Sequence, residues 1–233
     1  MKIIKKLLKS FFATIFVLLP SLGFAQYSLS QAISGMPTEP VPFNATKNTG
    51  FIRGHNYGVV NPNNIILDRL YDNVQLTEYV NASVSLDLAG ETFRKFVIPG
   101  SNNTLLVVSF GGVTERNTDV MCVVNGLGEV LSTLEVAVMC YPYLAVKQFR
   151  INAQNQIIVT TIKPVSSTSI PLETFTNFSG YRQDITYSIN AQGQFEQVSE
   201  QTYQTKIYTR SYLEDMNINL WEGNETPLVG VIR

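Results

Sequence analysis

Few residues in this chain are of a type and spacing suited to chemistry. The one histidine, His55, lies in Phe51-Ile52-Arg53-Gly54-His55-Asn56-Tyr57-Gly58. A histidine base needs a nucleophile, yet the chain has no G-x-S-x-G elbow and neither cysteine stands in a protease-like setting. His55 therefore reads as a loop or surface residue. Transition-metal catalysis needs several imidazole, thiolate or carboxylate ligands gathered together. No such set stands out, so neither a metal nor a cofactor is expected. Ser109-Phe110-Gly111-Gly112 lacks the lysine and helix of a phosphate loop and reads as a β-turn. Glycoside hydrolysis asks only for two carboxylates on facing strands. Glu78, Asp87, Glu91, Asp184, Glu214 and Asp215 qualify by type, but their spacing selects no pair. Solvated surface acids are the simpler expectation.

Aromatic side chains offer a second kind of chemistry. The chain has 11 tyrosines and one tryptophan, and Tyr181, Tyr187, Tyr203, Tyr208, Tyr212 and Trp221 stand in polar surroundings. Rings with a polar tip suit carbohydrate and protein surfaces. Tyr181, Arg182, Tyr208, Tyr212 and Trp221 thus form the candidate binding set, with outward residues covering a sheet as the alternative. Ser179-Gly180-Tyr181-Arg182 also resembles the short Ser-Gly loop of periplasmic lysozyme inhibitors, whose further motifs are missing here.

Residues 1–25 read as a secretory signal. Four lysines precede an apolar core, and Gly23 and Ala25 occupy the −3 and −1 positions of a cleavage site before Gln26. The apolar core of about 14 residues is shorter than the ~20 that span a bilayer. No second long apolar run follows, so no transmembrane segment is expected in the mature chain. The lysine-rich start and the Phe-Ala-Gln junction resemble bacterial export signals, especially those of Bacteroidetes. The expected location is the periplasm, the cell surface or the medium. Four of the chain's 17 basic residues and none of its 18 acids lie in this segment, which leaves a net charge of −5 on the remainder. A mildly acidic protein with scattered lysines does not recruit phosphate backbones, which excludes nucleic acid as the expected partner.

Two cysteines, Cys122 and Cys140, lie 18 residues apart in DVMCVVN and VAVMCYP. Export permits a disulfide worth about 3 kcal/mol on the loop-entropy model. The apolar surroundings equally suit buried thiols, so both states stay open.

The elements that must position these residues read as strands. Val, Ile, Thr, Tyr and Phe abound, and helical stretches rich in Lys, Glu and Ala are almost absent. From residue 92 onward, short apolar or alternating runs are separated by polar turns, the pattern of an antiparallel meander. The expected fold is all-β, propeller-like or a β-sandwich, with at most a short helix around 63–72. Residues 26–50 read as an extended leader or loop and 51–233 as one all-β domain. The C-terminal SYLEDMNINLWEGNETPLVGVIR is expected to supply two last strands turning at Glu222-Gly223-Asn224.

One phrase recurs: VNGLGEV at 124–130, INAQNQI at 151–157 and INAQGQF at 189–195. Asn125, Asn152 and Asn190 hold its first turn position, while Gly128, Asn155 and Gly193 hold its fourth. A four-residue hairpin connection favours Asn first, where its side chain accepts from the following backbone. It favours a residue tolerant of left-handed φ last, and Gly and Asn are the usual choices. A calcium loop would need carboxylates at alternate positions, and these segments have none before Glu129. They read as structural turns. VVNGLGEV, RINAQNQI and SINAQGQF resemble the strand-turn-strand corners of β-propeller blades, which implies an all-β fold.

The expected function is a non-catalytic exported protein that binds a protein or glycan at the cell envelope. A glycan-active hydrolase using paired carboxylates is the first alternative. A structural or assembly subunit with exposed strand edges is the second.

Overall fold

The computed structural model describes residues 33–45, 93–111, 116–140, 143–166, 169–215 and 218–228. His55, the possible helix around 63–72, the leader before residue 33, and Glu78, Asp87 and Glu91 fall outside these residues. Among the described residues, ten strands form one antiparallel sheet. They are β1 (Phe43–Asn44), β2 (Phe93–Val97), β3 (Thr104–Gly111), β4 (Arg116–Val124), β5 (Val130–Cys140) and β6 (Val146–Ile151), then β7 (Ile157–Pro164), β8 (Asn177–Ile189), β9 (Phe195–Thr202) and β10 (Lys206–Thr209). Each strand from β2 to β9 pairs with the next, so the fold is an all-β meander. The hairpins are hydrogen-bonded side by side in one continuous sheet, unlike the separate blades of a propeller. Ser109, Phe110 and Gly111, read above as a turn, end β3 instead. Likewise Ser179-Gly180-Tyr181-Arg182 is no loop but lies inside β8.

The sheet turns a corner between β5 and β6, where among the described residues only Val138 and Lys147 pair. Beyond this pair β1 takes over the edge of β6, with Phe43 opposite Ile151 and Asn44 opposite Arg150. The corner lets the two halves share a core. Phe96, Leu105, Val107, Met121, Val123 and Val136 from the first half meet Phe149, Ile151, Ile157 and Val159 from the second. β3 and β4 are buried on both faces, since Leu106, Val108, Val120 and Cys122 are as enclosed as their core-facing neighbours. Their unbroken apolar runs are the sequence form of that double burial.

In a meander, alternate connections lie at the same end, which gathers the β4–β5, β6–β7 and β8–β9 turns together. Their chemistry is the same three times over. The Asn125 side-chain oxygen accepts from the amides of Leu127 and Glu129, both at 2.9 Å. Asn152 accepts from Gln154 and Gln156 at 3.0 and 2.9 Å, and Asn190 from Gln192 and Gln194 at the same distances. Gly128, Asn155 and Gly193 have φ of 87°, 60° and 77°. Gly193 is needed twice over, because a Cβ there would sit 2.6 Å from Leu131 Cδ1. The Gly193 carbonyl accepts from Ser132 Oγ at 2.5 Å, which docks the β8–β9 turn onto β5.

A pair of substitutions tests this backbone requirement. Asn152→Ala removes two bonds to backbone amides and is expected to cost about 1–2 kcal/mol. Asn155→Gly keeps the left-handed conformation accessible and should stay within about 0.5 kcal/mol of the parent. Urea unfolding measures both, and equal losses at the two sites would refute the assignment.

Cys122 is a free, buried thiol, so the bridge that the sequence left open is not formed. On β4 it lies opposite Thr133, whereas Cys140 lies seven residues further along β5, opposite Arg116. At about 3.3 Å per residue that is about 23 Å, far beyond the ~7 Å Cα limit for a disulfide. Burial pushes the Cys122 thiol up to about 12. In a Cys140→Ser background, Cys122 is therefore expected to resist a thiol reagent at about pH 8 and to react once urea unfolds the chain. Rapid native labelling would contradict its burial.

Candidate functional site

The strand period of two separates the faces of β6–β8. One face lines the shared core. The other carries Gln148 and Arg150 of β6, Thr160 and Ile162 of β7, and Arg182 and Asp184 of β8. Lys206 and Tyr208 extend it on β10, which continues the β9 edge of β8.

The C-terminal segment covers this face. Instead of the two strands expected from its sequence, it forms α1 (Arg210–Glu214) and a 3-10 turn over Leu220–Glu222. Thr209 caps α1 by accepting from the Tyr212 amide at 3.2 Å. The physical reason for the difference is burial. Leu213 and Leu220 sink into a second core with Val146, Ile162, Leu172, Phe175 and Tyr208, and that requires a chain laid across the sheet. Among the described residues, a single Tyr203–Pro227 bridge pairs this segment with the chain just past β9.

Arg182 stands at the centre. Its Nε and Nη2 donate to the two oxygens of Asp184 at 3.1 and 2.9 Å, a bidentate pair two residues apart on one strand face. Its Nη1 donates to Glu225 Oε2 at 3.1 Å and to the Leu220 carbonyl at 3.3 Å. The guanidinium carbon lies 3.8 Å from the Tyr203 ring centroid, and Tyr203 donates its hydroxyl to Asp184 at 3.2 Å. Glu225 also receives Lys206 Nζ and, at 3.1 Å, the Tyr208 hydroxyl. Its side chain has 0% exposure. Gln148 completes the fastening by accepting from the Leu220 amide at 3.0 Å and donating to the Ala45 carbonyl at 2.9 Å.

These contacts set the ionisation of the groups. Burial alone would raise the Glu225 carboxyl, but hydrogen bonds from Lys206 and Tyr208 and the lysine's charge hold it below the ordinary range. Burial works against the Arg182 charge, and the Asp184 hydrogen bonds and charge reverse that, so its pKa moves up. Burial also pushes up Tyr203, Tyr208 and Tyr212, aided by neighbouring carboxylates. The tyrosines act here as neutral hydroxyls and rings. The cluster's first role is thus to bolt the C-terminal segment to the sheet through charges that leave each other largely satisfied.

Arg150, at the rim, differs. Its nearest carboxylate oxygen, Asp184 Oδ2, is 3.9 Å away, and that acid is already engaged by Arg182 and Tyr203. Among the described residues the Arg150 guanidinium makes no hydrogen bond, and its buried Nη1 has no partner. Its guanidinium carbon lies 5.0 Å from the Trp221 ring centroid, with 23% of the side chain exposed. Partial burial moves its pKa down, opposed by the Asp184 charge.

Of the candidate binding residues, Arg182, Tyr208, Tyr212 and Trp221 gather in this region, and alternation along β8 puts Tyr181 on the opposite face from Arg182. Arg182 and Tyr208 are interior, leaving Tyr212 and Trp221 half-buried. Arg150, Lys206 and Glu225 were not candidates. Arg150 reads as an ordinary outward residue of an alternating strand, and nothing local marks Glu225 in GNETP as buried. Glu214 pairs with Arg210 at 2.9 Å in α1. A separate cavity of about 210 Å³ opens at the turn end, where Gln154, Gln156 and Ser188 rim the apolar Phe96, Ile98 and Ile189.

The fold and cluster define an all-β meander protein whose C-terminal segment is fastened across one sheet face by buried ion pairs. Comparison of the chain with protein-family models, curated proteins and solved structures found no match in any of the three. Among the described residues no helix is long and apolar enough to cross a membrane.

Proposed function

We propose that the chain is an exported, non-catalytic protein that binds a protein or glycan at the cell envelope. The observation carrying this reading is the Arg150–Trp221 pair at the rim, 5.0 Å apart, whose guanidinium is partly exposed and makes no hydrogen bond among the described residues. Such pairs are the usual anchors of recognition surfaces. The signal-like residues 1–25 support export.

Among the described residues, the converging acids Asp184 and Glu225 are poorly suited to the hydrolase alternative. Arg182 lies between them and binds both, where a substrate's glycosidic oxygen would have to sit. A general acid needs a raised pKa, whereas that of Glu225 is lowered. Sequencing the N-terminus of the product in fractionated cells, and probing glycan and peptide arrays with that product, tests the proposal. A product retaining Met1 inside the cell, or silence on both arrays, would remove it.

A further inference from the structure

We propose that Arg150 and Trp221 bind a carboxylate-bearing sugar, a uronate unit of an acidic glycan; this rests on the binding reading above. Three features of the rim select this chemistry. First, the cluster holds three cations, Arg150, Arg182 and Lys206, against the two carboxylates Asp184 and Glu225. Asp184 already accepts two bonds from Arg182 and one from Tyr203, so it serves Arg150 only at 3.9 Å. One further carboxylate would balance that count and occupy the planar Nε–Nη2 edge of Arg150, since Nη1 is enclosed; such an edge fits a carboxylate better than a point charge does.

Second, Trp221 holds that fork in place. A guanidinium stacked on an indole loses less freedom when it captures a ligand than one extended into water. The ring also supplies an apolar wall of the kind that packs against sugar CH groups.

Third, register places a row of groups beside Arg150 on the same face. Arg150 lies opposite Ile158, Ile158 opposite Thr186, and Thr186 opposite Ser199. Three strand spacings make the row about 14 Å long. Ile158 and Thr186 are half-buried and Ser199 is exposed. A guanidinium, a flat aliphatic patch and two hydroxyls match the carboxylate, CH face and hydroxyl edge of an acidic sugar chain. A peptide would gain more from deep apolar pockets.

The test uses the full exported chain and calorimetric titration with three probes: an oligogalacturonate, a neutral galactose oligomer of equal length, and oligoglutamate. The uronate is expected to bind at least tenfold more tightly than either of the others. Arg150→Gln should weaken it tenfold to a hundredfold, the loss of a charge-assisted bidentate contact. Arg150→Lys, which keeps the charge without the fork, should lose part of that and guards against a variant that fails to fold. Equal binding of the neutral oligomer, preference for oligoglutamate, or uronate binding indifferent to both substitutions would overturn the uronate assignment and leave the wider binding reading standing. No binding to any of these probes, together with silence on the arrays, would overturn both.

Discussion

Arg182→Leu is expected to lower the free energy of unfolding by about 3–5 kcal/mol, the usual loss when one partner leaves a buried ion cluster. The size follows from what remains behind. Asp184 loses its bidentate partner, and Glu225, with a side chain of 0% exposure, loses its guanidinium and is left with Lys206, the Tyr208 hydroxyl and a backbone amide. The C-terminal segment also loses its bond at the Leu220 carbonyl. Urea unfolding measures the loss, and a change under about 1 kcal/mol would refute the central place given to Arg182.

The cluster has a pH signature of definite sign. Folding lowers the Glu225 pKa below its ordinary value of 4.5. The unfolded chain then binds more protons in the acid range, so stability rises with pH there. The stabilisation from Glu225 is complete above its unfolded pKa and disappears as pH falls through the folded value. The parent should lose urea resistance on acidification from about pH 5 to pH 3, and Glu225→Gln, already weaker at neutral pH, should lose less over that window. Parallel profiles for the two proteins would contradict it.

Phe149→Ala should be equally damaging, at about 3–5 kcal/mol. Phe149 is 1% exposed and sits on β6 at the corner, stacked on Phe43 with ring centroids 5.9 Å apart. Its carbonyl accepts from the Ala45 amide at 3.2 Å, so its backbone holds the end of β1 while its ring fills the core between the two halves. Neighbours on the pinned strand β6 cannot collapse into the space an alanine leaves. Phe149→Leu retains most of the volume and should cost about 1–1.5 kcal/mol. If both variants unfold at the parent's urea midpoint, the corner is not a shared core.

Strands β3 to β7 could be read directly from the chain because their information is local. DVMCVV and IIVTTI carry their pairing tendency in short runs rich in β-branched and apolar residues. The three Asn-led turns carry theirs in side chains that bond two to four residues away. The C-terminal segment was misread because its apolar spacing fits strands and a draped chain alike. What separates them is whether Leu213 and Leu220 find a core, and that core includes Val146 and Ile162, on strands more than fifty residues upstream.

The same division runs through the candidate site. Its aromatic and cationic members were visible as residue types, and Arg182, Tyr208, Tyr212 and Trp221 do gather. Their roles were not visible, because Arg182 binds Glu225 as well as its strand neighbour Asp184, and Glu225 is 43 residues away and on no strand. The absence of a Cys122–Cys140 bridge was equally hidden, since it depends on register across β4 and β5. The chain alone therefore settled the all-β class, the meander and the left-handed φ of Gly128, Asn155 and Gly193, all properties of neighbouring backbone. Tertiary structure decided which charges are neutralised in the interior and which guanidinium is left at the rim. Desolvation and ion pairing depend on the face and depth a side chain reaches, and residues distant in sequence set both.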